Sequence, residues 1–240
     1  MMKMVNNWFD IIQYSLLSTS CILCNKPGME HMDLCVACYN ALEKMEDQCY
    51  CCAKPFAIHS STPRLCGLCQ KKPPAFNKVY SPFIHQGAMR YLINQLKFNG
   101  AYKNSRLLGL LLADYLGKNA ELPNLIIPVP LHTNRYKQRG FNQTHEIAKT
   151  IAKELNLAID ISCCQRIKNT PHQISLTAKQ RRKNIKNAFQ VTKLPKVNHI
   201  AILDDVMTTG ATANELARLL KSAGINQVDV WLCSRAKMDR

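Results

Sequence analysis

The chain of 240 residues is 47% hydrophobic and 20% charged, and it carries a formal net charge of +16 at pH 7. This length suffices for one sizeable domain plus a small one, and the hydrophobic content excludes an intrinsically disordered chain. No apolar run approaches the roughly 20 residues that a membrane-spanning helix needs, so we expect no transmembrane segment.

The first predicted element is an amphipathic helix in residues 1–20. Largely apolar side chains recur there at helical spacing, at Trp8, Ile11, Ile12, Ser15 and Leu16. A secretory signal peptide is the weaker interpretation, because only Lys3 precedes the apolar part and Asp10 and Gln13 interrupt it. We expect this helix to pack on the rest of the protein, with membrane contact as the alternative.

Four Cys-x-x-Cys pairs come next, in residues 21–75. Their members are Cys21 and Cys24, Cys35 and Cys38, Cys49 and Cys52, and Cys66 and Cys69. Two such pairs match a four-thiolate zinc site, and without a secretory signal a disulfide framework is not expected. We predict two structural zinc ribbons, because this polar segment is too short to bury a large core. We pair the cysteines in sequence order, but the spacing also allows interleaved pairing, and buried or redox cysteines are a further alternative.

The remaining cysteines, Cys51, Cys163, Cys164 and Cys233, lack this ligand spacing, and we expect them to be ordinary small apolar residues.

Charge changes near the proline-marked segment "KKPPAFNK", where we predict a domain boundary at residue 75. Residues 1–75 carry seven Lys or Arg against six Asp or Glu, whereas residues 76–240 carry 25 against ten. Residues 161–203 contain nine basic residues and no acidic one. A solvated basic surface is one interpretation of this run, but its length favours a polyanionic partner such as phosphate or nucleic acid.

The part after residue 75 alternates short apolar runs with amphipathic segments. Predicted helices cover 89–100, 105–117, 142–156 and 212–224, and predicted strands cover 124–130, 188–192, 199–205 and 227–234. This alternation predicts an α/β fold with a mostly parallel sheet flanked by helices. Ligands of such folds bind at the carboxyl ends of the strands.

One such end lies in "HIAILDDVMTTGATANELARLL", residues 199–220. Asp204 and Asp205 end an apolar strand, and a turn of small residues leads into a helix that we expect to begin near Thr212. Main-chain N–H groups and the helix dipole make such a turn an anion site. The carboxylates beside it can accept hydrogen bonds from sugar hydroxyls, so the stretch predicts a phosphorylated-sugar site. A capped helix with two exposed aspartates is the alternative, but it leaves the acids without a role.

The motif "AILDDVMTTGAT" resembles the phosphoribosyl pyrophosphate (PRPP) motif of type I phosphoribosyltransferases. The segments "PVPLHTNRYKQRGFNQT" (128–144) and "RIKNTPHQISLTAKQRRKNIKNAF" (166–189), with the cysteine-rich segment, resemble the ComF/GntX family of competence-associated proteins. The resemblance implies a zinc-ribbon module in residues 21–75 and a type I phosphoribosyltransferase-like domain in residues 76–240.

The resemblance also implies roles for particular residues. Asp204 and Asp205 would hold the ribose hydroxyls of PRPP, and residues 170–184 would form a lid. Six residues would surround the 5-phosphate, namely Met207, Thr208, Thr209, Gly210, Ala211 and Thr212. Magnesium would bridge pyrophosphate and ribose oxygens. Basic residues would contact pyrophosphate or a DNA backbone, namely Arg135, Lys137, Arg139, Arg181, Arg182 and Lys183.

The family implies a cytoplasmic competence factor, acting at the inner face of the membrane, that handles incoming single-stranded DNA. Its expected partners are PRPP, single-stranded DNA, the inner-membrane DNA channel and other competence proteins. A phosphoribosyltransferase with an unknown acceptor and a PRPP-sensing regulatory module are the alternatives. No general base stands out among His132, His145 and His172. A glutamine-using amidophosphoribosyltransferase also needs an N-terminal domain with a cysteine nucleophile. This chain begins Met1-Met2-Lys3 and reaches its first zinc ligand after one short helix, so we expect glutamine hydrolysis to be absent.

We expect Arg135, Lys137 and Arg139 to lie in a loop near the same end of the sheet. Together with the acid-free run of residues 161–203, they suggest a groove for single-stranded DNA. Tyr136 and Phe141 lie among the basic residues and could stack on bases if exposed. The alternative is that Phe141 belongs to the core and that the basic residues serve PRPP alone.

Overall fold

The fold was analysed on a computed structural model that describes residues 19–57, 62–169 and 184–237. The chain divides into two compact units, residues 1–43 and 44–240. The sequence-based boundary at residue 75 therefore falls inside the second unit. Residues 44–75 contact later parts of this unit: Val79 N donates to Cys51 O, for example, and Ala75 N donates to Asn214 Oδ1. The predicted helix of residues 1–20 lies almost wholly outside the described residues.

The first unit is a small cysteine-rich module. Its one described helix, α1, spans Val36–Asn40. Short antiparallel bridges join Ser20 to Pro27 and Met29 to Met32. Cys21 N donates to Lys26 O and Asn25 N donates to Cys21 O, which closes a tight turn around the first Cys-x-x-Cys pair.

The second unit contains the remaining described helices and strands. The helices are α2 (Gly67–Lys71), α3 (Gly87–Asn99), α4 (Lys103–Asn119), α5 (Thr133–Arg139), α6 (Gln143–Leu155) and α7 (Ala211–Ser222). The strands are β1 (Val79–Tyr80), β2 (Phe83–Ile84), β3 (Leu125–Pro128), β4 (Ala158–Ile159), β5 (Cys164–Arg166), β6 (Phe189–Val191), β7 (His199–Met207) and β8 (Gln227–Arg235).

Six of these strands form one parallel sheet. Its order is β1-β8-β7-β3-β4, and β2 also pairs with β8. The central strands β7 and β8 are buried along most of their length, as expected for a parallel sheet covered on both faces. The sequence-based prediction of a mostly parallel sheet flanked by helices is confirmed.

Helix packing brings α4 against α6 on one face of the sheet. A Cβ atom on Gly109 would lie 2.5 Å from Thr150 Cβ, so only glycine allows this approach. Helix α6 begins where the side chain of Asn142 accepts a hydrogen bond from Thr144 N and ends at Asn156 in the left-handed conformation. The close packing holds the start of α6 beside the carboxyl end of β3.

Two local predictions differ from the structure. Arg135, Lys137 and Arg139 belong to helix α5 rather than to a loop, because His132 Nδ1 accepts a hydrogen bond from Asn134 N at its start and Gly140 ends it. The predicted strand at residues 188–192 is β6, which pairs antiparallel with β5 apart from the parallel sheet. Within the described residues, no helix is both long and apolar enough to cross a membrane.

Candidate functional site

The turn between β7 and α7 lies at the carboxyl edge of the sheet. Strand β7 ends at Met207 and α7 begins at Ala211, one residue before the expected start. Gly210 precedes the helix with a φ of 76°, and a Cβ atom there would lie 3.3 Å from Met207 Sδ. Both facts favour glycine at this position. The helix of 12 residues thus presents its first main-chain N–H groups at this edge, where they attract an anion.

The acid pair lies just before this turn, and its two members differ in surroundings. Asp205 is 3% exposed, and its Oδ2 lies 2.8 Å from Lys97 Nζ of α3. Asp204 is partly buried, and its Oδ1 accepts a hydrogen bond from Asp205 N at 2.9 Å. Burial raises the pKa of Asp204 to about 7, the charge of Asp205 adds to the rise, and Lys97 opposes it. Asp204 is therefore close to its protonation midpoint at neutral pH.

A cavity of about 200 Å³ connects the acid pair with the turn. Both carboxylates line it, together with the turn residues Thr208, Thr209 and Gly210 and the first residues of α7. Four cationic side chains line the same cavity, namely Lys97, Arg135, Arg139 and Arg166. The cavity thus joins an anion-binding turn, two carboxylates and an excess of positive charge.

Only two of the three basic residues of helix α5 line this cavity. Arg135 and Arg139 are four residues apart and share one helix face, which lines the cavity. Lys137 is exposed and does not line it. Burial lowers the pKa of both arginines. These guanidinium groups have thus lost part of their hydration and would gain from an anion. The other basic residues singled out from the sequence, Arg181, Arg182 and Lys183, lie outside the described residues.

The sequence analysis did not identify two of the cationic side chains that line the cavity. Lys97 comes from α3 and Arg166 from β5, so each reaches the cavity through tertiary packing rather than through a local motif. Burial lowers the pKa of Arg166 to about 10, and nearby Arg135 adds to this effect. The acid-free run of residues 161–203 contains Arg166 and was the available signal for it. Nothing in the sequence near Lys97 distinguished that residue.

Of the two aromatic residues considered for base stacking, Phe141 is buried and Tyr136 is exposed. Phe141 is 5% exposed and contacts the ring of Tyr102, with 4.4 Å between the ring centroids. It therefore belongs to the core and is not available to stack on a base. Tyr136 is exposed, and so is Phe98. Phe98 lines the cavity, and the guanidinium carbon of Arg139 lies 5.8 Å from the centroid of its ring. Phe98 is an exposed aromatic residue at the cavity that the sequence analysis missed.

The two described candidate histidines, His132 and His145, do not line the cavity. His132 caps α5 and His145 lies on α6, where burial lowers its pKa. His172 lies outside the described residues. Among the described residues, no histidine lines the cavity.

The eight paired cysteines form two separate clusters. Cys21, Cys24, Cys35 and Cys38 form the first, and Cys49, Cys52, Cys66 and Cys69 form the second, with the ligand atoms of each cluster within 4.8 Å of one another. This is the pairing in sequence order. Sulfur–sulfur distances of 3.6 Å (Cys24–Cys35) and 3.7 Å (Cys52–Cys66) are close to the edge of about 3.8 Å expected for tetrahedral zinc thiolates. Both clusters therefore fit a zinc ion.

The second cluster also has the hydrogen bonds expected around thiolates. A hydrogen bond from Cys52 lowers the pKa of Cys49 to about 4, and Cys66 N donates to Cys49 Sγ at 3.2 Å. The pKa of Cys52 is raised, chiefly by the same contact with Cys49. A bound divalent cation would favour the ionised form of all four sulfurs.

These observations define a class of protein: a parallel α/β protein with a cavity rich in cationic side chains at the carboxyl edge of its sheet, and with two four-cysteine clusters. Similar solved structures include an orotate phosphoribosyltransferase from Aeropyrum pernix, at 18% identity and a TM-score of 0.35, covering 61% of this chain and 64% of that one. Adenine phosphoribosyltransferase from Leishmania tarentolae has 14% identity and a TM-score of 0.33, covering 62% and 74%. At these values the likeness says nothing about function.

Sequence comparison identifies the family. The chain is 35% identical to DNA utilization protein YhgH of Salmonella typhimurium over 221 residues, covering 90% of this chain and 96% of that protein. It is 34% identical to competence protein F of Haemophilus influenzae over 182 residues, covering 71% and 78%. No family model matches the chain. The chain therefore belongs to the family of competence protein F and DNA utilization protein YhgH, as the sequence motifs indicated.

Proposed function

We propose that this protein binds PRPP in the cavity at the carboxyl edge of the sheet and handles single-stranded DNA in natural transformation. One observation carries the proposal: an anion-binding turn, an acid pair and four cations line the same cavity of about 200 Å³. Relatives named for DNA utilization and competence supply the cellular context.

The 5-phosphate would bind at the turn between β7 and α7. Such a phosphate carries a charge of about −1.5 to −2 near neutral pH, which suits the positive end of the α7 dipole. Gly210 leaves the main chain accessible there, and the hydroxyls of Thr208, Thr209 and Thr212 add donors. The turn thus offers both charge and hydrogen bonds to one phosphate.

The ribose hydroxyls would bind at the acid pair. Asp205 is already held by Lys97, so Asp204 is the carboxylate that a ligand can engage. Magnesium would arrive with PRPP, because that ion is usually held by one or two carboxylates together with phosphate oxygens. Asp204 is the residue of this chain that would contact it. A ligand that needs the ionised carboxylate would bind more tightly as the pH rises through about 7.

The pyrophosphate would bind at the guanidinium groups of the cavity. Arg135, Arg139 and Arg166 approach from α5 and β5, on elements far apart in sequence. Arginine binds phosphate oxygens through paired N–H groups, which fixes the orientation of the anion as well as its charge. Their partial burial strengthens the attraction, because less water screens the charges.

Single-stranded DNA would bind along the exposed basic surface beside the cavity. Lys168, Lys186, Lys193 and Lys196 are exposed within the acid-free run, and Lys137 is exposed on α5. Phe98 replaces Phe141 as the aromatic residue for base stacking, since Phe98 is exposed and Phe141 is not. The proposed place of action is the cytoplasm, with the inner-membrane DNA channel and other competence proteins as partners.

A phosphoribosyltransferase activity is the second candidate. The feature that favours it is Asp204, which lines the cavity and whose pKa burial and the charge of Asp205 raise to about 7. A group that titrates near the working pH can accept or donate a proton during a reaction. Pyrophosphate would then leave from the anomeric carbon of the ribose when an acceptor attacks it. The remaining alternative, a PRPP-sensing regulatory module, needs PRPP to bind but not to react.

Mixing the zinc-loaded protein with PRPP and magnesium separates these candidates. DNA handling with PRPP as an effector predicts no pyrophosphate release, together with oligonucleotide binding that changes when PRPP is added. Pyrophosphate release at a rate above the spontaneous one would favour the transferase. Absence of oligonucleotide binding at low salt, with PRPP bound, would favour the sensor and contradict the DNA proposal.

A further inference from the structure

Arg235 is a buried arginine whose hydrogen bonds link the second cysteine cluster to the turn between β7 and α7. It is the last residue of β8 and is 2% exposed. Its Nε donates to Cys52 O at 3.1 Å. Its Nη1 donates to Met207 O at 2.8 Å and to Thr208 O at 2.5 Å. One guanidinium group therefore joins a residue of the cysteine cluster to two residues of the turn.

Burying the charged side chain of Arg235 costs free energy, so a role in packing alone does not explain an arginine at this position. Burying a charged group is unfavourable unless hydrogen bonds compensate. Four main-chain carbonyls accept from Arg235, the fourth being Ala236 O at 3.3 Å. Burial lowers the pKa of Arg235, and the Cys52 side chain opposes this effect through its charge and a hydrogen bond. A rigid planar fork of five N–H donors can span such carbonyls, whereas the single ammonium group of lysine cannot reach all of them.

The cluster side of this link is itself held in place. Cys49 N donates to Lys54 O and Ala53 N donates to Cys49 O, which closes the turn that contains Cys52. Cys52 Sγ belongs to the second four-cysteine cluster. Zinc bound there would fix that side chain and with it the position of the Cys52 carbonyl.

Packing also connects the two parts, because Cys52 packs against the core cluster that contains Met207. A cavity of about 340 Å³ lies between the cluster and the turn, lined by Cys52, Cys66 and Cys69 on one side and by Thr209 and Gly210 on the other. Arg235 lines this cavity too. The guanidinium group therefore bridges the two parts across a region that packing leaves partly open.

We infer that the second four-cysteine site holds the phosphate-binding turn in its binding conformation through the positioning residue Arg235. The inference rests on the proposed PRPP site for its consequence in binding, but the ordering of the turn can be measured without a ligand. The first four-cysteine site belongs to the other compact unit, residues 1–43, and serves as the control.

The test compares four variants of the full-length protein. Arg235→Met removes the donors at similar volume, and Arg235→Lys keeps the charge. Cys69→Ser disables the second cluster, and Cys38→Ser is the matched control in the first. Zinc content, main-chain hydrogen exchange of residues 207–212 and calorimetric PRPP affinity are measured for each.

We expect exchange in residues 207–212 to accelerate at least tenfold in Arg235→Met and in Cys69→Ser, but not in Cys38→Ser. PRPP affinity should fall about tenfold in the same two variants, and Arg235→Lys should lie between. Arg235→Met should retain both zinc ions. In the Arg235→Met and Cys69→Ser double variant the two effects should not add, because both break the same link.

Unchanged exchange in Arg235→Met or Cys69→Ser would overturn the inference, as would an equal effect of Cys38→Ser. Additive effects in the double variant would also contradict it. If Arg235→Met loses its fold, Arg235→Lys carries the test. Wild-type protein that binds no PRPP would contradict the proposed function instead, and the exchange result would still decide the role of Arg235.

Discussion

Replacing Asp204 with asparagine should stabilise the protein at pH 8 while it removes a residue of the proposed PRPP site. Asparagine keeps the size of the side chain and the Oδ1 atom that accepts a hydrogen bond from Asp205 N. It removes a charge that is buried beside the charge of Asp205. Two neighbouring buried carboxylates that lower the stability of the fold are characteristic of functional sites.

The size of the gain follows from the pKa of Asp204. A rise from 3.8 to about 7 corresponds to an upper limit of about 4 kcal/mol, at about 1.4 kcal/mol for each pH unit. Because the folded state holds the proton more tightly than the unfolded state, the cost to folding grows as the pH rises from about 4 and is complete above about 7. Rearrangement of water and neighbouring groups reduces it, so we expect Asp204→Asn to add about 2 kcal/mol at pH 8.

Urea unfolding of zinc-loaded protein, followed through the fluorescence of Trp231, measures the effect. Trp231 is fully buried in β8, and a Trp8→Phe background removes the other tryptophan. The gain from Asp204→Asn should shrink between pH 8 and pH 6, because protonated Asp204 already resembles asparagine.

Asp205→Asn is the matched control, because it leaves Lys97 without its carboxylate partner at 2.8 Å. We expect that change to destabilise the protein by about 1–3 kcal/mol. The reasoning is refuted if both variants change stability in the same direction, or if the gain from Asp204→Asn does not depend on pH.

Two further predictions concern metal and DNA. Metal analysis should find two zinc ions per chain in the wild type and one in either Cys38→Ser or Cys69→Ser, since the clusters are separate; iron, or a wild-type content near one, would contradict this. Binding of a single-stranded oligonucleotide should weaken with salt, with a log–log slope of about −0.7 for each phosphate neutralised. Replacing Arg181, Arg182 and Lys183 with alanine should make that slope shallower, and an unchanged slope would exclude these residues from the DNA surface.

The parts of the molecule that could be predicted from sequence are those encoded in consecutive residues. Alternating apolar runs and amphipathic helices indicated the parallel sheet, because each element must bury one face or both. The turn from Asp204 to Thr212 and the four Cys-x-x-Cys pairs are also continuous motifs. Their local spacing was therefore enough to indicate an anion site and two clusters.

The parts that could not be predicted depend on contacts between distant elements. Lys97 and Arg166 reach the cavity from α3 and β5, which are distant from β7 in sequence, and no local pattern records that arrangement. Helix α5 was missed because its sequence is polar throughout and has no apolar face. Phe141 was considered for base stacking because its basic neighbours suggested a surface, whereas its side chain packs against Tyr102.

The link through Arg235 was missed for the same reason. Cys52, Met207 and Arg235 are far apart in the chain, and only the pairing of β8 with β7 and the packing of the second cluster bring them together. A single arginine at the end of a strand gives no indication of three such contacts.

Calorimetric titration with PRPP in the presence of magnesium tests the central claim most directly. The account predicts saturable binding to the wild type, tighter at pH 8 than at pH 6 because Asp204 ionises near pH 7. It predicts no measurable binding to the folded Asp204→Ala and Asp205→Ala double variant. Equal affinity in the wild type and the double variant would contradict the assignment of the site, and so would a wild type that binds no PRPP at all.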